Sequence, residues 1–308
     1  MTGSASPATA TPVQATGRLG TLPPELLIVS GTVSVQFGGG VATSLIRSYG
    51  PLPVVAMRIL FGAALLSLFQ RPHVRGADRA ALLACLALGF VLAAMNSLFY
   101  VALSRIPLGV AVTIEFWGPL AVAVLGSRRW LDLVWVGLAG VGIYILAGGR
   151  FDAGDVVGVL AAFGAGSCWA TYILVGGRVA REWPDGRGLT LAMLVAAATI
   201  LPVTLTLSDI DPLFAAPAAL GGGLIIAMFS SAIPYTLEIA ALRRLRAATF
   251  GVLMSLEPAI AAAFGFILLG QVLRTSDLLA IAMVAVASAG ASLSARRSAV
   301  AVGELEAA

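Results

Sequence analysis

The stretch Val112-Thr113-Ile114-Glu115-Phe116-Trp117-Gly118-Pro119-Leu120-Ala121-Val122 sets one carboxylate and one proline inside an apolar run of about twenty residues. A run of that kind is either a buried core helix or a membrane span. Composition separates the two: of 308 residues, 59% are hydrophobic and 11% charged. The apolar surface of such a chain exceeds what one or two soluble cores can bury, whereas a bilayer solvates the outside of a helical bundle. The 35 glycines suit membrane helices whose backbones approach closely.

Apolar runs recur along the chain, giving expected spans near residues 25–45, 54–70, 80–101, 107–126, 131–148, 155–175, 188–207, 217–240, 248–269 and 276–294. Breakers such as Tyr49-Gly50-Pro51-Leu52-Pro53 and Trp183-Pro184-Asp185-Gly186 punctuate them. An outer-membrane barrel would instead alternate polar and apolar residues. Residues 1–24 are expected to form a disordered cytoplasmic tail, since a Ser/Thr/Ala/Pro/Gly composition buries too little surface to fold. The first apolar run is full length and carries no cleavage pattern, so it reads as an uncleaved span.

All nineteen cationic residues are arginine. With the N-terminus inside, fourteen fall in cytoplasmic segments and four outside (Arg47, Arg105, Arg150 and Arg274), while Arg58 lies within the second span. That bias places both termini in the cytoplasm. Runs such as Arg243-Arg244 and Arg296-Arg297 then act as topology determinants, with no nucleic-acid partner implied. The segment Leu98–Pro119 also overlays Leu237–Pro258 at a constant offset of 139 residues, matching Leu98/Leu237, Ala102/Ala241, Leu103/Leu242, Arg105/Arg244 and Pro119/Pro258. Five helices per repeat is an odd number, so duplication inverts the second copy. Inverted repeats characterise transporters that bind substrate near the midplane. The expected fold is therefore an all-α integral membrane protein of ten transmembrane helices, built as a 5+5 inverted repeat.

Several stretches carry a family resemblance: Met95-Asn96-Ser97-Leu98-Phe99-Tyr100, Ile106-Pro107-Leu108-Gly109-Val110-Ala111-Val112, Glu115-Phe116-Trp117-Gly118-Pro119, Ser127-Arg128-Arg129, Gly166-Ser167-Cys168-Trp169-Ala170-Thr171-Tyr172-Ile173-Leu174, Pro234-Tyr235-Thr236-Leu237-Glu238, and Thr249 through Pro258. Across residues 28 to 294 the chain resembles the EamA branch of the drug/metabolite transporter superfamily, with five-helix EamA-like repeats at 25–149 and 150–294 and a second cytoplasmic tail at 295–308. The resemblance implies a multi-pass protein of the bacterial inner membrane that exports small amino acids of the threonine and homoserine kind, with the proton as coupling ion. Export of another small metabolite or drug is the alternative within the superfamily.

Glu115 lies about eight residues into the fourth span, ~12 Å deep, where an ionised side chain costs at least ~2.5–3.5 kcal/mol. It must be protonated, paired or open to water. Glu257 has a similar depth in the ninth span, and Glu238 lies nearer the cytoplasmic end of the eighth. Pro119 and Pro258 each remove a backbone donor, which frees the carbonyls of Glu115 and Met254. Such breaks are tolerated where they line a cavity or are buried in protein. Asn96 and Tyr100 on the third span, Tyr235 at the repeat position of Asn96, Trp169 and Tyr172 on the sixth, and Gln36 on the first complete the expected lining. Each also admits a plainer role as packing or an interhelical hydrogen bond. Arg58 suits a substrate carboxylate while a glutamate takes the ammonium, although snorkelling or pairing with Glu115 explains it equally well.

An intramembrane enzyme is the competing class, and its groups are missing. The chain has no lysine for a Ser–Lys dyad, its single histidine, His73, lies in a loop, and no HExxH zinc site exists. Asp209 and Asp211 share a short external loop. Gly38-Gly39-Gly40-Val41-Ala42-Thr43-Ser44 lacks a P-loop lysine, and Gly164-Ala165-Gly166-Ser167-Cys168-Trp169 puts tryptophan where a dinucleotide fingerprint needs glycine. Cys85 and Cys168 read as packing residues. No cofactor or metal is expected. A receptor, the third class, has no need of two buried acids on repeat-related helices.

Overall fold

The computed structural model describes residues 22–70, 77–125, 131–147, 153–183, 186–210, 216–234 and 253–306, with Pro72, Val74, Pro212, Leu237 and Ala241 between these segments. Regular structure among the described residues is all helical. The elements are α1 (Pro24–Tyr49), α2 (Pro51–Gln70), α3 (Arg79–Leu103), α4 (Leu108–Glu115), α5 (Trp117–Leu125), α6 (Leu131–Ala147), α7 (Ala153–Glu182), α8 (Arg187–Leu207), α9 (Pro217–Ala227), α10 (Glu257–Leu269) and α11 (Thr275–Glu306). A π-helical turn, Met228–Ala232, follows α9 directly.

Proline and glycine set the ends. Pro24 opens α1, and Gly50 closes it at φ 78°, donating its N–H to the Ile46 carbonyl. Positive φ is the conformation that glycine adopts without a Cβ penalty, and Pro51 then begins α2. Among the described residues, five helices are long and apolar enough to cross a membrane: Pro24–Tyr49, Pro51–Leu68, Arg79–Leu103, Val156–Glu182 and Arg187–Leu207. Shorter apolar helices cover Leu108–Val122, Leu133–Ile145, Pro217–Ala232, Glu257–Leu269 and Thr275–Ala291. Each apolar stretch marked in the sequence holds one of these helices. α7 and α11 run beyond their expected ends, to Glu182 and Glu306. Large apolar side chains point outward, among them Leu68 and Ile267, a surface suited to lipid.

Inside, α3 packs against α7 and α8, and α2 against α8 and α9. α1 packs against α9, the π turn and α10, while α4 lies between α10 and α7, α5 against α7, and α6 against α11. Polar links cross some of these contacts: Thr190 Oγ1 on α8 donates to Gln70 Oε1 on α2 at 2.6 Å. Other hydroxyls satisfy themselves within their helix, as Thr113 Oγ1 does on the Gly109 carbonyl and Thr43 Oγ1 on the Gly39 carbonyl. That pattern is expected where no water is at hand.

Small residues set the spacing. A methyl group on Gly109 of α4 would stand 2.7 Å from Ala262 Cα on α10, so the two backbones touch with no room for a side chain. Gly109→Val should therefore force α4 and α10 apart and cost about 1–3 kcal/mol, read as a lower midpoint of thermal unfolding in detergent. An unchanged midpoint would show that this contact adds nothing to stability.

Candidate functional site

Glu115 and Glu257 both sit where a helix stops or starts. α4 ends at Glu115, Phe116 forms a turn, and α5 begins at Trp117. Pro119 lies in the first turn of α5, where a missing N–H is tolerated because that turn has no intrahelical acceptor for it. Across the repeat offset, Ser255 and Leu256 form the corresponding turn, and α10 begins Glu257-Pro258. α7 presses onto the first break. A methyl on Gly166 would lie 2.6 Å from the Glu115 carbonyl oxygen, and one on Gly118 would overlap the Gly166 carbonyl. Trp117 Nε1 donates to the Phe163 carbonyl at 3.0 Å. The Phe116 ring meets Trp169 edge-on at 5.2 Å.

Glu115 and Glu257 are 9% and 7% exposed, so neither relies on bulk water for solvation. Gln36 Nε2 on α1 donates to Glu257 Oε1 at 3.0 Å. Glu115 belongs to a different group, with Arg58 of α2 close enough for their charges to interact. The Arg58 guanidinium lies over the buried Tyr100 ring, 5.7 Å from its centroid, an attraction of the cation–π kind. Its Nη2 also donates to the Ser230 carbonyl at 3.0 Å.

That last bond has a cause in the sequence. Ser230 stands four residues before Pro234, which has no N–H, so its α-helical partner is missing. Within the π turn the Ile233 N–H is drawn to the Met228 carbonyl, which leaves Phe229 without its own α-helical donor; five residues on, the donor position is again Pro234. Side chains from the first half of the chain serve both carbonyls. Arg58 takes Ser230, and Ser34 Oγ of α1 donates to Phe229 at 2.7 Å.

α1 approaches all these elements through Gly38-Gly39-Gly40. A methyl on Gly38 would overlap Ser230 Oγ, one on Gly39 would meet Leu108 at 3.4 Å, and one on Gly40 would meet Leu268 at 2.7 Å. The glycine run therefore packs against the π turn, the start of α4 and the end of α10. Gln271, beyond α10, accepts the Leu108 N–H on its Oε1 at 3.0 Å, which caps α4 from the other half of the chain.

The structure thus brings Gln36 to Glu257 and Arg58 to Tyr100, with Glu115 within electrostatic range of Arg58. Asn96 makes its hydrogen bond among the described residues within its own helix, Nδ2 donating to the Leu92 carbonyl at 2.8 Å. Trp169 and Tyr172 are partly buried and pack against the core. Glu238 and Tyr235 lie outside the described residues. Ser34, Ser230, Gln271 and the π turn were not anticipated, although Pro234 was the visible signal for three of them. A separate cleft of about 460 Å³ lies between α10 and α11, lined by residues including Ala259, Phe266, Gln271 and Leu278; none of the expected site residues lines it.

Residues 156–293 match the EamA-like transporter family. The chain is 39% identical over 276 residues to the threonine/homoserine exporter RhtA of Salmonella typhimurium strain LT2, covering 89% of this chain and 92% of that protein. It is 38% identical over 283 residues to the threonine/homoserine exporter RhtA of Escherichia coli strain K12, with the same coverage of 89% and 92%. The uncharacterized transporter YwfM of Bacillus subtilis strain 168 is 28% identical over 251 residues, covering 77% and 83%. One solved crystal structure, 18% identical, covers 88% of this chain and 98% of its own with a TM-score of 0.59, a likeness of fold.

Gln36→Leu should lower thermal stability in detergent by about 1–3 kcal/mol, because it strips a donor from a buried carboxyl group. Combining it with Glu257→Leu should recover part of the loss, since removing both partners of a buried pair costs less than removing one. A double variant as unstable as the sum of the single changes would show that the two side chains act independently.

Proposed function

We propose, since the chain belongs to the EamA-like transporter family, that it exports small amino acids of the threonine and homoserine kind across the bacterial inner membrane by proton antiport. The observation that carries this reading is the 39% identity to a threonine/homoserine exporter over 92% of that protein's length. A 5+5 inverted repeat with both termini in the cytoplasm is part of the same proposal. Arginine placement supports the orientation, and helix packing supports the repeat. Exchanging each first-half helix with its counterpart five spans on turns α3 against α7 into α9 and its π turn against α1, and α1 against α10 into α7 against α4 and α5. Both members of each exchange are present.

In this mechanism Arg58 takes the substrate carboxylate and Glu115 the ammonium, the two ends of a zwitterion. Tyr100 closes the arginine side of the site. Proton and ammonium compete for the Glu115 carboxylate. Loaded with substrate, the halves rock and release it outside, and a proton taken from the more acidic side then permits the return. Glu257, held by Gln36, has the supporting part. Rocking requires that ligands interact differently with the two states, and one carboxylate shared between two cations supplies that difference.

Uptake of labelled threonine and homoserine into inside-out vesicles with an acidic lumen tests the reading. The wild type should show gradient-driven uptake, and Glu115→Gln, inserted at equal levels, should fall to the level of vesicles without the protein. Uptake unchanged in the variant would remove Glu115 from the coupling. Absence of wild-type uptake would exclude these solutes and favour another metabolite.

A further inference from the structure

Pro234 denies the Ser230 carbonyl its α-helical donor and Arg58 donates to it instead, which ties the site to the π turn in the second half of the chain. Arg58 and Ser34 lie on α2 and α1, whereas the carbonyls they serve lie in the π turn after α9. π turns inside α-helices recur at functional sites. This one is buried against the glycine run of α1, with Ser230 3% and Ser231 1% exposed, so a carbonyl released there finds no bulk water.

Arg58 carries a charge, and the carbonyl it serves is neutral. A carboxylate is a stronger acceptor for guanidinium than a carbonyl, and it can accept two parallel bonds. Building on the zwitterion site proposed above, we infer that Arg58 is an exchange contact, giving up the Ser230 carbonyl for the substrate carboxylate and so releasing the π turn as substrate binds. Ser34 keeps the Phe229 carbonyl throughout and acts as the pivot. Loading then changes a contact between the two halves, which couples occupancy to rocking without any contact from substrate to α9. Arg58 serves in turn as a substrate ligand and as the residue that positions the π turn.

Hydrogen exchange on the full-length protein in detergent tests this, with threonine binding followed separately as a rise in the thermal midpoint. Saturating threonine should speed exchange of the amides in Met228–Ile233 by about tenfold, the scale of one lost charge-assisted hydrogen bond. Threoninol keeps the ammonium and hydroxyl and lacks the carboxylate, so it should not speed exchange there. Pro234→Ala restores the missing N–H; it should still bind threonine and show no acceleration. Bound threonine that leaves these amides unchanged or slows them in the wild type would overturn the exchange and spare the exporter reading. Failure of threonine to raise the wild-type midpoint would overturn the substrate assignment and the exchange with it.

Discussion

The hydrogen bond from Arg58 to the Ser230 carbonyl joins residues 172 positions apart and fills a deficit that Pro234 creates. In water such a deficit is trivial, because solvent supplies the donor. At Ser230, 3% exposed, the protein must supply it, and the donor chosen is a guanidinium over the Tyr100 ring. The deficit left by one proline is thereby met by a bond that holds α2 to the π turn. Ser34 does the same for α1 through the neighbouring carbonyl.

Close approach is the second constraint, and it is what allows these bonds to form. A hydroxyl or guanidinium reaches a neighbouring backbone over a short span only if the helices lie nearly in contact. Gly38, Gly39 and Gly40 bring α1 against three elements at once, and Gly118 and Gly166 bring α5 against α7. α1 cannot shift against the π turn without disturbing its packing on α4 and α10. Contacts of this density favour movement of whole bodies over local flexing, because packed interfaces have discrete arrangements.

Much of the fold is legible in the sequence, because apolar length and proline–glycine breakers are local signals. The break after Glu115 is local too, since Pro119 announces it. The partners of the buried acids are not local. Gln36 and Glu257 stand 221 residues apart, and their pairing depends on how α1 crosses α10, which no spacing rule encodes. Asn96 shows how a polar side chain in an apolar helix can also be served locally, its Nδ2 donating to its own Leu92 carbonyl. Pro234 is as local a signal as Pro119, since it removes the α-helical donor of the Ser230 carbonyl, whereas the guanidinium that takes its place comes from 172 residues away.

The two acids flank corresponding turns and are unlike in surroundings. At the 139-residue offset Glu115 faces Met254, and Glu257 faces Gly118, so the repeat carries one acid on each side of its break and not the same acid twice. Glu115 stands just before its turn, through which the Phe116 and Leu120 N–H groups still bond back to the Val112 and Phe116 carbonyls, whereas Glu257 stands just after its turn as the first residue of α10. Glu257 also has an amide donor from Gln36. That bond ties Glu257 to α1, whereas Glu115 lies within electrostatic range of Arg58. A group whose cationic neighbour can change partners registers the arrival of a ligand. That difference is why the proposed exchange of cations is assigned to Glu115.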